Sequence, residues 1–153
     1  QNPVFTAFSL PDPDVIRGED GYFYLYATEH SLTDPNMKNA PIMKSRDLIN
    51  WTRAGSIFTD ATHPQITGMN DAGIWAPTVS KVNGKYMIYY SQPAPEWKHA
   101  IGVATSSSPT GPFTDHGKLI DSNEQGVDIP LMLIFIRRMA VTTCSGAVFA
   151  KLA

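Results

Sequence analysis

Hydrophobic and aromatic positions in this chain fall in short alternating runs broken by glycine, proline and asparagine. In residues 22–26, Tyr22, Tyr24 and Tyr26 share one face of a strand, and Phe23 and Leu25 share the other. The pattern predicts strands at Val15-Ile16, 22–28, 41–45 and 51–58. A second set follows at 74–82, 85–91, 100–105 and 113–119. Between the fifth and sixth runs stands Asn83-Gly84, the strongest hairpin signal in the chain. Both residue types tolerate the positive φ that a tight type I′ turn demands. Residues 29–40, 59–74 and 92–98 are polar or carry proline and read as loops. No amphipathic helix is predicted.

The two halves of this pattern are copies of one unit. Residues 21–28, Gly-Tyr-Phe-Tyr-Leu-Tyr-Ala-Thr, return at 84–91 as Gly-Lys-Tyr-Met-Ile-Tyr-Tyr-Ser, an offset of about 63 residues. Trp51-Thr52-Arg53-Ala54-Gly55 returns as Phe113-Thr114-Asp115-His116-Gly117, offset by about 62. A strand-rich, turn-rich repeat of that size is the signature of a propeller blade or a related all-β unit. The expected fold is all-β: a partial propeller of about two to two-and-a-half blades. One blade cannot bury both faces of its sheet, and two cannot close a ring.

Composition narrows the function classes. A chain of 153 residues, 42% hydrophobic and 17% charged, is globular and long enough for one real core. A net charge of -2 gives no electrostatic case for binding nucleic acid or an anionic membrane surface. No apolar run reaches membrane-spanning length. The single cysteine, Cys144, excludes an internal disulfide framework and a multi-cysteine zinc site. His30, His63, His99 and His116 show no ligand spacing, so no metal or other cofactor is expected. The chain opens at Gln1 rather than methionine. Processing after secretion and simple trimming both account for that, and the first leads to an extracellular or periplasmic expectation.

Several motifs now stand in order: Pro11-Asp12-Pro13-Asp14-Val15-Ile16, the paired G-x-[FY]-x-[LI]-Y strands, residues 42–51 (IMKSRDLINW), Gly73-Ile74-Trp75-Ala76-Pro77, and residues 111–119 (GPFTDHGKL). Together they resemble glycoside hydrolase family 43, in its arabinanase, arabinofuranosidase and xylosidase-like members. The resemblance runs from about residue 2 to Val127. It implies a five-bladed β-propeller that cleaves arabinofuranosides or xylosides with inversion, with arabinan or xylan oligosaccharides as partners. It also implies three carboxylates: a general base, an aspartate that tunes the acid, and a general acid. Base and acid in an inverting enzyme stand roughly 6.5–9.5 Å apart, leaving room for the attacking water.

Of the three, the resemblance carries only the base cleanly onto this chain, at Asp12 between its two prolines. Pro13 restricts Asp12 away from helical angles; an ordinary turn aspartate is the plainer alternative. The resemblance brings Trp75 of the W-A-P motif near the sugar, where an indole face suits the C–H surface of a ring. Against this stands an ordinary core tryptophan. His30, Asp71 and Asn70, on loops facing the same funnel, and Trp97 on a proline-rich loop complete the candidate substrate-binding set. Asp14 is a lesser candidate by proximity.

The motifs stop after Val127. Where the family continues with an S-I-D segment and aromatic strands, this chain runs Asp128-Ile129-Pro130, then six apolar residues at 131–136, then Arg137-Arg138. A change of reading frame accounts for this, since shifted codons permit S-I-D, F-Y and Y-L-F-W-G-S in order; a divergent tail is the alternative. The domain reading is therefore two blades over 1–127 and an atypical segment over 128–153. The tail would serve as a strand or oligomer contact, and the general acid would be missing from the chain. Exposed sheet faces and the apolar run lead to an expectation of self-association, a homo-oligomer of two or more copies. Two functions stay open. One is a glycosidase with Asp12 as base, its site crippled or rebuilt across an interface. The other is a catalytically impaired fragment, either carbohydrate-binding or inert.

Overall fold

The computed structural model describes residues 9–30 and 37–122. The apolar run at 131–136 and the whole of 128–153 lie outside the described residues. Among the described residues, eight strands form two four-stranded antiparallel sheets, each in simple sequential order. The first sheet contains β1 (Asp14–Arg17), β2 (Phe23–Tyr26), β3 (Pro41–Ser45) and β4 (Trp51–Ser56). The second contains β5 (Trp75–Val82), β6 (Lys85–Pro93), β7 (His99–Ser106) and β8 (Thr114–Asp121). A 3₁₀ turn spans Pro95–Trp97.

The predicted strands are all present, β3 with the predicted ends and the others with shifted ones. The β5–β6 turn at Asn83-Gly84 has φ 51° and 78°, both left-handed, as its residue types require. The sixth strand runs on through Gln92 and Pro93, which the sequence reading gives to a loop. These residues pair with Ala100 and His99. Pro93 is tolerated because it ends the strand, where its missing N–H breaks little of the ladder. The β3–β4 turn is built by Asp47, whose carboxylate accepts the N–H groups of Ile49 and Asn50 at 2.9 and 2.7 Å. These bonds, that from Asn50 first, hold its carboxyl well below the usual range.

The repeat offset explains how the sheets meet. Tyr24 and Tyr26 point forward from the first sheet toward the second. Leu25 and Ala27 point back, into a separate cluster with Met43. One repeat later, Ile88 and Tyr90 point back and join Tyr24, Tyr26, Ile42, Phe58 and Ile74 in the main core. Met87 and Tyr89, the repeat equivalents of Tyr24 and Tyr26, face forward with Ile101. The core is thus the forward face of one unit against the backward face of the next. Each fully buried large apolar side chain contributes roughly 1.5–3 kcal/mol.

Two tyrosines stitch this core. Tyr26 donates its hydroxyl to the Pro109 carbonyl at 2.6 Å and meets Phe113 edge-on, with centroids 6.3 Å apart. Tyr90 donates to Asp115 Oδ1 at 2.6 Å and meets Phe58 edge-on at 5.3 Å. To reach β8 from β6, the Tyr90 ring must cross β7. It does so at its direct cross-strand partner, Gly102. A Cβ there would fall on the ring. Burial, and then the Asp115 carboxylate, push the Tyr90 phenol far above its ordinary value.

Candidate active site

Asp12, Asp14 and Trp75 stand at the seam where the C-terminal end of β2 meets the start of β5. Four hydrogen bonds cross it. Glu29 N–H donates to the Ile74 carbonyl at 2.8 Å, and Ile74 N–H returns to Glu29 Oε2 at 3.3 Å. Ala76 N–H donates to Thr28 Oγ1 at 2.7 Å, and Val79 N–H donates to Asp14 Oδ2 at 2.8 Å. Asp14 Oδ1 also accepts its neighbour's Val15 N–H at 2.9 Å. Both oxygens of Asp14 are therefore engaged by backbone amides, a structural task.

Asp12 precedes β1 and is exposed. Its φ is 48°, in the left-handed region, where a short polar side chain is among the few that are tolerated. Pro13 thus does not hold it extended. Instead, Thr28 N–H fixes the preceding carbonyl, that of Pro11, at 2.9 Å. The Thr28 hydroxyl donates to Asp12 Oδ2 at 2.8 Å. A continuous relay runs from the Ala76 amide through the Thr28 hydroxyl to the Asp12 carboxylate. Asp12 and the W-A-P motif, 63 residues apart in sequence, are joined by two hydrogen bonds and one side chain.

Trp75 is 37% exposed, on the surface rather than in the core. Its indole lies against the imidazole of His99, with centroids 5.3 Å apart and planes at 53°. His99 is 5% exposed, and its burial holds the imidazole below its ordinary 6.5, so the ring beneath the indole is neutral at pH 7. Ser91 Oγ donates to the Trp75 carbonyl at 3.3 Å. The exposed indole is thus backed by a fixed ring and a fixed main chain.

The other candidates are more dispersed. Asp71 is exposed, with φ 55°, on the loop leading into β5; Asn70 beside it is exposed as well. His30 follows Glu29, and its N–H donates to the Met37 carbonyl at 3.3 Å. Trp97 closes the 3₁₀ turn; its side chain lies outside the described residues. The 59–74 loop is pinned from below. Gln92, fully buried, donates to the Pro64 and Ala72 carbonyls at 2.8 and 2.7 Å and accepts Ile66 N–H at 3.0 Å. His63 bridges Asn39 Oδ1 at 2.7 Å and the Ala72 carbonyl at 2.9 Å. Among the described residues, no group of three or more histidine, cysteine, aspartate or glutamate side chains could hold a metal ion.

Thr28, Glu29, Ser91 and His99 are seam residues that sequence reasoning missed. One signal was available: Thr28 and Ser91 are repeat equivalents, both hydroxyl residues closing the second strand of their unit.

Two repeated four-stranded sheets, packed forward face to backward face with their inner strands at a common seam, make the chain part of a β-propeller. The model of glycosyl hydrolases family 43 matches residues 1–133, and the chain belongs to that family. It is 35% identical over 109 residues to an arabinan endo-1,5-alpha-L-arabinosidase A of Aspergillus niger, covering 69% of this chain and 31% of the relative. It is 28% identical over 128 residues to a beta-xylosidase of Formosa agariphila, covering 80% and 20%. Among solved structures, the Bacillus subtilis arabinanase superposes with a TM-score of 0.62 at 31% identity, covering 76% of this chain and 40% of that one. The Cellvibrio cellulosa alpha-L-arabinanase complexed with arabinohexaose gives 0.60 at 28% identity, covering 75% and 36%. The chain spans about a third of the length of the A. niger relative.

Proposed function

We propose that this chain supplies the base-bearing wall of a glycoside hydrolase that acts on arabinan, with Asp12 as general base of an inverting reaction. The relay that ties Asp12 to the W-A-P segment carries this reading. It brings a carboxylate with one oxygen anchored to the same seam as an exposed, backed indole. Thr28 holds Oδ2. Among the described residues Oδ1 takes no hydrogen bond, so it is the oxygen available to deprotonate water. Trp75 offers the apolar face on which a furanose ring stacks. The arabinan-acting relatives support arabinan over xylan as the substrate class.

A second reading, sugar binding without turnover, is favoured by how the nearby carboxylates are used. Asp14 and Glu29 both accept backbone N–H groups at the seam, which leaves neither suited to protonate a leaving oxygen. The resemblance assigns the general acid to a later part of the fold. Calorimetric titration of the chain with arabinohexaose and xylohexaose, alongside a reducing-sugar assay, separates the readings. Binding of arabinohexaose that weakens at least tenfold in Trp75→Ala and in Asp12→Ala supports the site. Turnover abolished in Asp12→Ala supports the base, and binding without turnover supports the second reading. Affinity unchanged in both variants refutes the site.

A further inference from the structure

The peptide unit between Trp75 and Ala76 is held at both of its polar ends by repeat-equivalent hydroxyls. Ser91 Oγ donates to its carbonyl, and Thr28 Oγ1 accepts its N–H. Two non-glycine residues beside this clamp sit at positive φ: Ala76 at 43° and Asp12 at 48°. Left-handed alanine is unfavourable unless its surroundings impose it, and such strain concentrates where geometry serves function. Thr28 is bonded to both strained positions.

A hydroxyl has one proton to give. Thr28 Oγ1 accepts the Ala76 amide on one of its two lone pairs, which orients the hydroxyl, and gives its single proton to Asp12 Oδ2, at 2.8 Å. The side chain is buried, at 8% exposure, so water does not compete freely for that proton. Donation to an ionised oxygen is charge-assisted and about twice as strong as a neutral bond.

We infer that Thr28 is the positioning residue of Asp12: it fixes one carboxylate oxygen and thereby aims the other, Oδ1, at the ligand. The inference rests on the reading of Asp12 given above. It also makes the aim of Asp12 depend on the second sheet, because the amide that orders the Thr28 hydroxyl belongs to β5.

The test compares full-length Thr28→Val, which keeps the shape and loses the hydroxyl, with Thr28→Ser, which keeps the hydroxyl. Thr28→Ala serves as a second loss-of-hydroxyl variant should valine not be tolerated. In the ligand-free protein, the ¹³Cγ resonance of Asp12 is expected to move in Thr28→Val and to stay near its original position in Thr28→Ser. In titrations with arabinohexaose, Thr28→Val should bind about tenfold more weakly, with Thr28→Ser within about twofold of the parent. In an Asp12→Ala background, Thr28→Val should cause no further loss, because there is no carboxylate left to aim. An Asp12 resonance indifferent to Thr28→Val overturns the inference without any ligand. So does a tenfold loss that persists in the Asp12→Ala background, since it assigns Thr28 a merely structural role. If the parent fails to bind arabinohexaose while the Asp12 resonance responds, the positioning contact stands and the substrate reading fails.

Discussion

Gly102→Ala reverses the sign that backbone propensity predicts. Alanine in a strand interior is ordinarily favoured over glycine by about 0.5–1 kcal/mol. Gly102 is not at positive φ, so the backbone would accept the change. The obstacle is the Tyr90 ring, which crosses β7 at this position; its Cε1 alone would lie 2.8 Å from the new Cβ. Two escapes exist. The strands can part to admit a methyl group, at the usual overpacking cost of about 1–3 kcal/mol. Alternatively the ring can swing away and forfeit its bond to the Asp115 carboxylate, about 1.5–3 kcal/mol, along with the Phe58 edge contact. The chain takes the cheaper route, so the expected loss is about 1–3 kcal/mol. Equilibrium urea denaturation measures it as a lower midpoint at constant slope. In a Tyr90→Leu background, itself destabilised, the same substitution should cost at least about 1 kcal/mol less, because the ring is gone. A Gly102→Ala protein as stable as its parent, or more so, refutes the account of why glycine stands there.

Two further outcomes follow from buried polar groups. Gln92→Leu keeps the volume but orphans Ile66 N–H and the Pro64 carbonyl, while Ala72 retains His63. It should destabilise by about 2–5 kcal/mol and raise amide exchange across 59–74, as read by mass spectrometry; a loss below about 0.5 kcal/mol would mean that water replaces the side chain. His99 is held below its ordinary 6.5 by burial, so the unfolded chain binds this proton more readily than the native one. Its contribution to stability is complete above pH 6.5 and falls progressively as pH drops through that value toward the lowered native one. Denaturation midpoints between pH 7 and 5 should decline less steeply in His99→Phe than in the parent, and equal slopes would show that the ring is not buried neutral.

Much of the fold was legible in the sequence because strands and turns write periodic signals. Alternation at 22–26 assigned Tyr24 and Tyr26 to one face, and the offset of about 63 residues marked which later positions repeat that orientation. The hairpin at Asn83-Gly84 was fixed by turn chemistry alone. The seam was not legible in the same way. A hydroxyl at Thr28 or an amide at Gln92 carries no period, and its partner is chosen only when two sheets meet. Gly102 looked like any strand glycine, since nothing local reports that a tyrosine from the neighbouring strand passes over it. Asp12 was singled out by family resemblance, while its left-handed backbone and its bond to a threonine sixteen positions on required the folded chain.

Asp12 and its hydroxyl partner come from the first unit, and the amide that orders that hydroxyl comes from the second, so the relay is owned by the joint and by neither half. Splitting the polypeptide within 59–74 and supplying the pieces separately would deliver every atom of the constellation and still leave the carboxylate unaimed until the halves dock.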